Sequence, residues 1–367
     1  MKNTKGIYKI DGYLLTALMH NLLGATLILF LPMTVVKIAG HDGWMAPIIA
    51  MIGSFYILYL IYRLSLLFPD KTLIEYLPLI VGNAVGKFVG LGYILCLFYV
   101  LTIVLKETSL LYFGTGILTL TPEIVIPTLI IIASTYAVAQ GIEVIARTYF
   151  LYYCLLITPI YLIFIIMTMP LWKMGVFLPL KEAGFLTIIH GSLQAQAYLG
   201  EVVFLAMLVP YCRSSKEAFI SGSLGNLIAG TLTVLTIMAS IAIMGVDTAA
   251  RVQYSIFYLA DLMQPIGLKI FLTAIWFITF WAKVSLLQFI LTDGISKLLG
   301  LKEHRSIIIP IAITLLVFSL TNFPNAANVI DTLINTFPGV ILFFAFLIPT
   351  FLFIIAQIKT RFKVFSS

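Results

Sequence analysis

Apolar residues in this chain come in long unbroken runs rather than in strict alternation or in narrow helical stripes. Runs near the ~20 residues that an α-helix needs to cross a bilayer recur from end to end. Short clusters of charged residues, proline and glycine separate them. Ten spanning helices are predicted, at about 11–36, 44–67, 88–113, 124–141, 145–169, 187–210, 217–245, 267–292, 305–321 and 337–357. No stretch between them is long enough for a separate globular domain. Residues 1–367 therefore read as a single polytopic, all-α membrane domain.

Two of these runs carry the same interruption. Leu23-Gly24-Ala25-Thr26 leads to Pro32 in the first, and Leu199-Gly200-Glu201 leads to Pro210 in the sixth. A glycine in mid-span loosens a helix, and backbone groups freed in lipid must be satisfied by other protein groups or by a bound solute. Paired interruptions in corresponding positions of two halves point to a transporter-type site near the membrane midplane. Ten spans with breaks in the first and sixth divide into five plus five: repeat one at about 10–169 and repeat two at about 187–321, followed by the last span. Because five is odd, the second half starts from the opposite side, and the repeats are inverted in the LeuT-like manner.

Composition excludes a soluble protein: 61% of residues are hydrophobic, 10% are charged and mean hydropathy is +1.10. The net charge of +7 is distributed for topology rather than for a polyanion. With both termini cytoplasmic, fifteen basic residues fall inside: Lys2, Lys5, Lys9, Arg63, Lys71, Lys87, Arg147, Arg213, Lys216, Lys297, Lys302, Arg305, Lys359, Arg361 and Lys363. Five fall outside (Lys37, Lys173, Lys181, Arg251, Lys269), and Lys106 and Lys283 lie within spans. That asymmetry follows the positive-inside rule and orients the chain in the bilayer; no nucleic acid is implied. The connection 68–87 mixes apolar and charged residues as a helix at the cytoplasmic interface would. The connection 246–266, with Tyr254, Phe257, Tyr258 and Asp261 at helical spacing, reads as an outer interfacial helix or a lid.

Ionisable groups inside spans are expensive and usually functional. Glu201 follows its glycine directly, either capping the break or serving as counter-ion to a substrate amine. Lys106 and Glu107 are adjacent, so they point about 100° apart and do not pair with each other. Lys283 lies near the middle of the eighth span, and a buried ion pair with Glu201 or Glu107 is one reading of it. Asn21, beside His20, is close enough to Gly24 to be a secondary contact, as are Ala25 and Thr26. Glu143 and Arg147, four apart, form a predicted intrahelical pair. There is no phosphate-binding Gly-Lys loop, no Cys/His cluster and no His with a plausible nucleophile. No catalytic residue, metal or cofactor is expected, and the chain does not read as an enzyme.

Several local words carry a resemblance. Ala39-Gly40-His41-Asp42-Gly43-Trp44, Phe68-Pro69-Asp70-Lys71-Thr72-Leu73-Ile74-Glu75-Tyr76, Gly141-Ile142-Glu143-Val144-Ile145-Ala146-Arg147 and the Gly200-Glu201 break ending at Leu208-Val209-Pro210-Tyr211 occur in this order. With them the chain resembles, from about residue 8 to 360, the membrane-embedded B subunit of the nutrient germinant receptors of endospore-forming bacteria. That family is a branch of the amino acid–polyamine–organocation transporter superfamily. The resemblance implies a subunit in the spore inner membrane, working with a larger A subunit and a lipoprotein C subunit. It would bind a small nutrient, often an amino acid, and trigger ion release and germination. It also implies a pocket between the two breaks and the third and eighth spans, marking Gly24, Ile103, Leu199 and Lys283. In related sodium-coupled transporters a cation sits between the first and eighth spans, and the Lys283 ammonium would stand in its place. A stand-alone amino acid permease uses the same kind of site, and a structural subunit with a vestigial pocket is a third reading.

Overall fold

The computed structural model describes residues 9–117, 120–178, 183–263, 268–301, 303–323 and 325–361. Of the basic residues used for topology, Lys2, Lys5, Lys181, Lys302 and Lys363 lie outside the described residues, as do positions 264–266 of the outer connection. The first half comprises α1 (Gly12–Ala39), α2 (Ala46–Leu67), α3 (Leu73–Val81), α4 (Asn83–Gly114), α5 (Val125–Gln140), α6 (Ile142–Tyr152) and α7 (Thr158–Thr168). The second comprises α8 (Phe185–Leu199), α9 (Leu205–Leu208), α10 (Ser215–Met244), α11 (Val246–Ala249), α12 (Ser255–Met263) and α13 (Leu268–Leu299). α14 (Ile308–Thr321), α15 (Ala326–Asp331), α16 (Phe337–Leu342) and α17 (Ile348–Arg361) follow. Among the described residues the regular structure is helical, apart from one isolated parallel bridge between Ile10 and Cys212.

Among the described residues, seven helical stretches are long and apolar enough to cross a membrane. One of them, Gly12–Leu67, is 56 residues long and comprises α1, a 3₁₀ turn at Gly40–Met45 and α2. Val125–Gln140 and Arg305–Thr321 are shorter apolar helices. α1 is apolar all round, as a helix enclosed by others must be, and nearly its whole length is buried against α2's neighbours α8 and α10 and against α13. α3 is different. It buries Leu73, Ile74, Tyr76, Leu77 and Ile80 on one side and starts with a capping box between Thr72 and Glu75, so the mixed connection is an amphipathic helix. The outer connection likewise forms two short helices, α11 and α12. The last helical stretch starts at Ala326, earlier than expected, and contains π-helical turns at Thr332–Thr336 and Phe343–Leu347.

The two Leu-Gly interruptions behave differently, which corrects one expectation. α1 runs unbroken through Gly24 and past Pro32 to Ala39. Its middle is clamped by neighbours: at Gly225 of α10 an added Cβ would lie 2.7 Å from Met19 Cβ, and the Trp276 indole donates to the Ala25 carbonyl at 3.1 Å. Close packing on both sides holds α geometry where glycine alone would loosen it. In the sixth run the helix does change at the glycine: α8 stops at Leu199, and Gly200–Phe204 continue as 3₁₀ helix before α9. Gly200 is needed there for space as well, since a Cβ would fall 2.8 Å from Ile341 Cγ2 of α16.

Candidate functional site

The middle of α13, the 3₁₀ stretch and α1 meet at one charged contact. Lys283 is fully buried; its Nζ lies 2.7 Å from Glu201 Oε2 and donates to Thr26 Oγ1 at 2.8 Å. The approach to Glu201 is ion-pair contact rather than an aligned hydrogen bond. Of the two partners the sequence allowed, Glu201 is the one in contact. A buried pair of this kind costs desolvation that only close opposing charge offsets, so neither partner is dispensable alone. Glu107 of α4 is also buried, within electrostatic reach of Lys283, and neither of its carboxyl oxygens accepts a hydrogen bond among the described residues. One ammonium thus faces two carboxyl groups. Lys106, its neighbour, is turned elsewhere and pairs with Glu123. Glu123 carries no helical spacing to Lys106; the clue was its position in the short connection after α4, next to an otherwise unmatched intramembrane cation.

Gly24 and Thr26 are two residues apart, which puts them about 200° apart around a helix and so on opposite faces. Gly24, Ala25 and Asn21 accordingly line a different space, a cavity enclosing about 110 Å³ between α1, the α6–α7 region, α10 and α13. A Cβ on Gly24 would have only ordinary or slightly tight contacts there, 3.3 Å to His20 Nε2 and 3.5 Å to Ile28 Cδ1. Asn21 Nδ2 donates to the Thr279 carbonyl at 3.1 Å, while Asn21 Oδ1, both His20 ring nitrogens and the Tyr149 hydroxyl are buried without a hydrogen-bond partner among the described residues. A π-helical turn at Tyr153–Ile157, between α6 and α7, adds Tyr153 and Ile157 to the wall. Sequence reading passed over Tyr149, Tyr153 and Trp276, because aromatic residues in spans usually pack against the core. Ile103, Leu199, Gly200, Glu201 and Lys283 do not line this cavity; Ile103 and Leu199 are buried core residues. The residues expected in one pocket are therefore divided between the two faces of α1.

At the start of α1 a second set of contacts ties it to the end of the broken run. Ile10 N donates to the Tyr211 carbonyl at 2.7 Å, Asp11 pairs with Arg213, and Gly12 N donates to Glu217 Oε1 at 2.7 Å. Nearby, Lys297 of α13 bridges Asp293 at 2.9 Å and Glu75 at 3.4 Å and lies 5.2 Å over the Tyr211 ring. Burial pushes the Glu75 carboxyl up, but the Thr72 amide and hydroxyl and the Lys297 ammonium more than offset it, leaving Glu75 below the usual carboxylate range. Glu143 and Arg147 form the expected i,i+4 pair at 2.9 Å.

Comparison with known proteins agrees with the resemblance in the sequence. The chain matches the family described as Spore germination protein over residues 9–327. It is 28% identical to Spore germination protein KB of Bacillus subtilis (strain 168) over 341 residues, 89% of each chain. It is 27% identical to Spore germination protein A2 of the same organism over 354 residues, 93% of each chain. The chain belongs to the spore germination protein family. With seven apolar stretches of spanning length, it is a multi-pass membrane protein of that family.

Proposed function

We propose that this chain is the nutrient-sensing membrane subunit of a spore germinant receptor, working in the spore inner membrane with A and C partner subunits. Its ten helices, paired five and five as inverted repeats with both termini cytoplasmic, hold a small nutrient near the midplane. The observation that carries this reading is the buried Lys283–Glu201 pair at the 3₁₀ stretch that interrupts the middle of the sixth run. A zwitterionic amino acid presents the same two charges in mirrored order. Its ammonium can take the place of Lys283 against Glu201, and its carboxylate can take the place of Glu201 against Lys283. Exchange of this kind never leaves a buried charge unmatched, so the desolvation already met by the resting pair serves the bound state as well. Gly200, Leu199 and Ile103 supply the neighbouring wall, and the Thr26 hydroxyl supplies a further acceptor for the ammonium. Separation of the pair then frees α13 from the 3₁₀ stretch, and that release is the signal passed to the partner subunits for ion release.

Nutrient binding by the purified full chain, with a panel of amino acids, tests this. Lys283→Met should lose amino acid binding by at least tenfold while gaining affinity for the corresponding decarboxylated amine, because Glu201 is left seeking a cation. Amino acid binding that survives both Lys283→Met and Glu201→Gln would overturn the exchange. Solute uptake into vesicles by the chain alone would instead favour a permease.

A further inference from the structure

We propose that the groove where the end of α5 meets the start of α14 binds an anionic phospholipid, with the lipid phosphate on Arg305 and an acyl chain over Ile132 and Ile309. Among the described residues these two are the short apolar helices of the bundle. At 16 and 14 residues they measure about 24 and 21 Å, against a hydrocarbon core ~30 Å thick. Such a shortfall is met by local thinning of the bilayer, which draws lipid headgroups in toward the point where both helices stop. The chain makes that point a polar recess. α5 ends at Gln140, Gly141 turns the backbone at φ 99°, and α14 is entered from Arg305 through one 3₁₀ turn.

The groove has a volume of about 490 Å³ and changes character along the helices. Near their ends, Arg305, Gln140, Tyr136 and Thr135 supply hydrogen-bond donors. Thr135 Oγ1 already accepts from Gln288 Nε2 at 3.0 Å, so the proton of its hydroxyl is what remains to offer. One to two turns deeper, Ile132 and Ile309 are 62% and 63% exposed on the outside of the bundle. Charge decides the headgroup. Among the described residues no Asp or Glu lines the groove, and Arg305 has no ion-pair partner, its neighbour Glu303 included. A guanidinium presents a fork of donors that matches two phosphate oxygens, and a basic recess between spanning helices at headgroup level suits an anionic lipid. A soluble phosphate ester would meet the same donors but leave both isoleucines bare, so only a lipid uses the whole groove. Its floor reaches the interior: Gln288 lies five residues after Lys283 on α13, and Ser134 donates to the Trp281 carbonyl at 3.4 Å. An occupied groove thus braces α5 and α14 against the helix that carries the Lys283–Glu201 contact.

Native mass spectrometry of the purified full chain in detergent tests the assignment, with dioleoylphosphatidylglycerol, dioleoylphosphatidylcholine and glycerol 3-phosphate as probes. Phosphatidylglycerol should be retained about fivefold or more over phosphatidylcholine of the same chains, the preference that one basic residue at an anionic headgroup confers. Glycerol 3-phosphate at equal concentration should not displace it. Arg305→Gln should bring the two lipids within about twofold of each other. Arg147→Gln, which removes another exposed arginine, one already paired with Glu143, should leave the preference intact. Ala139→Trp keeps the charge but fills the groove from its wall, and should weaken phosphatidylglycerol several-fold. Equal retention of the two lipids, a preference that survives Arg305→Gln, or one lost equally in Arg147→Gln would each overturn the site, as would unaltered retention by folded Ala139→Trp protein. Displacement by glycerol 3-phosphate would overturn the lipid and leave a soluble anion as the occupant. Arg305 is exposed and its replacement leaves the core untouched, so the charge test decides the proposal even if Ala139→Trp misfolds.

Discussion

The first and sixth runs were matched by the same written signal, Leu-Gly followed some residues later by proline, yet only the sixth departs from α geometry. At Gly24 the surrounding helices grip the backbone, and a side chain there would meet only the ends of the His20 and Ile28 side chains beside a cavity; at Gly200 the position is closed by Ile341. A glycine in a span therefore has two distinct uses. One leaves a void for something else to occupy, and the other lets a neighbouring helix come close. Sequence alone does not separate them, because the deciding atoms belong to α16, far along the chain. The charged residues divide in the same way: Glu201 at the changed helix faces Lys283, while among the described residues no Asp, Glu, Lys or Arg lines the cavity beside Gly24.

The strongest way to break this contrast is through the pair itself. Lys283→Met or Glu201→Gln alone should destabilise the protein by about 3–5 kcal/mol, since an unmatched buried charge remains. The double change should recover much of that loss. Thermal unfolding of the four proteins in detergent measures the coupling, and additive losses would show that the contact contributes nothing as a pair. Next come the glycines. Gly200→Ala should cost about 1–3 kcal/mol by overpacking against Ile341, whereas Gly24→Ala should be neutral or stabilising by up to ~1 kcal/mol from helix propensity, with His20 shifting slightly. Equal effects at the two positions would erase the distinction between void and contact.

A milder expectation concerns ions. With the Lys283 ammonium at the junction of α1 and α13, nutrient response should be unchanged when sodium is replaced by choline; strict sodium dependence would remove the built-in-cation reading. The smallest effect should be at α3, where Glu75→Gln forfeits part of the capping box and the Lys297 contact for about 0.5–2 kcal/mol. Because the folded Glu75 carboxyl sits below the usual range, its contribution is fully present above that range and lost as pH falls through the lower folded value. Unfolding at pH 7 and pH 4 should therefore show the wild-type advantage over Glu75→Gln shrinking toward acid.

The long apolar helical runs and the one-sided α3 were legible because spanning a bilayer imposes run length and burial of a single face imposes amphipathicity. The Lys283–Glu201 contact was legible as one of two options, since a buried ammonium must have a counter-charge and few carboxylates were within spans. What escaped was anything set by which face of a helix meets which neighbour. Gly24 and Thr26 are neighbours in the sequence and on opposite sides of α1, so a single pocket drawn from sequence became two places. The Lys106–Glu123 pair and the Lys297 cluster escaped for the same reason: their partners come from connections and helix ends whose positions depend on the completed bundle.

The 3₁₀ stretch has a mechanical consequence. A 3₁₀ helix rises about 2.0 Å per residue against 1.5 Å for an α-helix and turns about 120° per residue against 100°. The five residues Gly200–Phe204 therefore hold about 2.5 Å of extra length and roughly 100° of extra winding relative to α geometry. The far end of this run is pinned to the start of α1 through Tyr211 and Arg213. Relaxation of these five residues would draw α8 toward that anchor and rotate it, so a change of pitch at the ion pair becomes a screw motion of a whole helix.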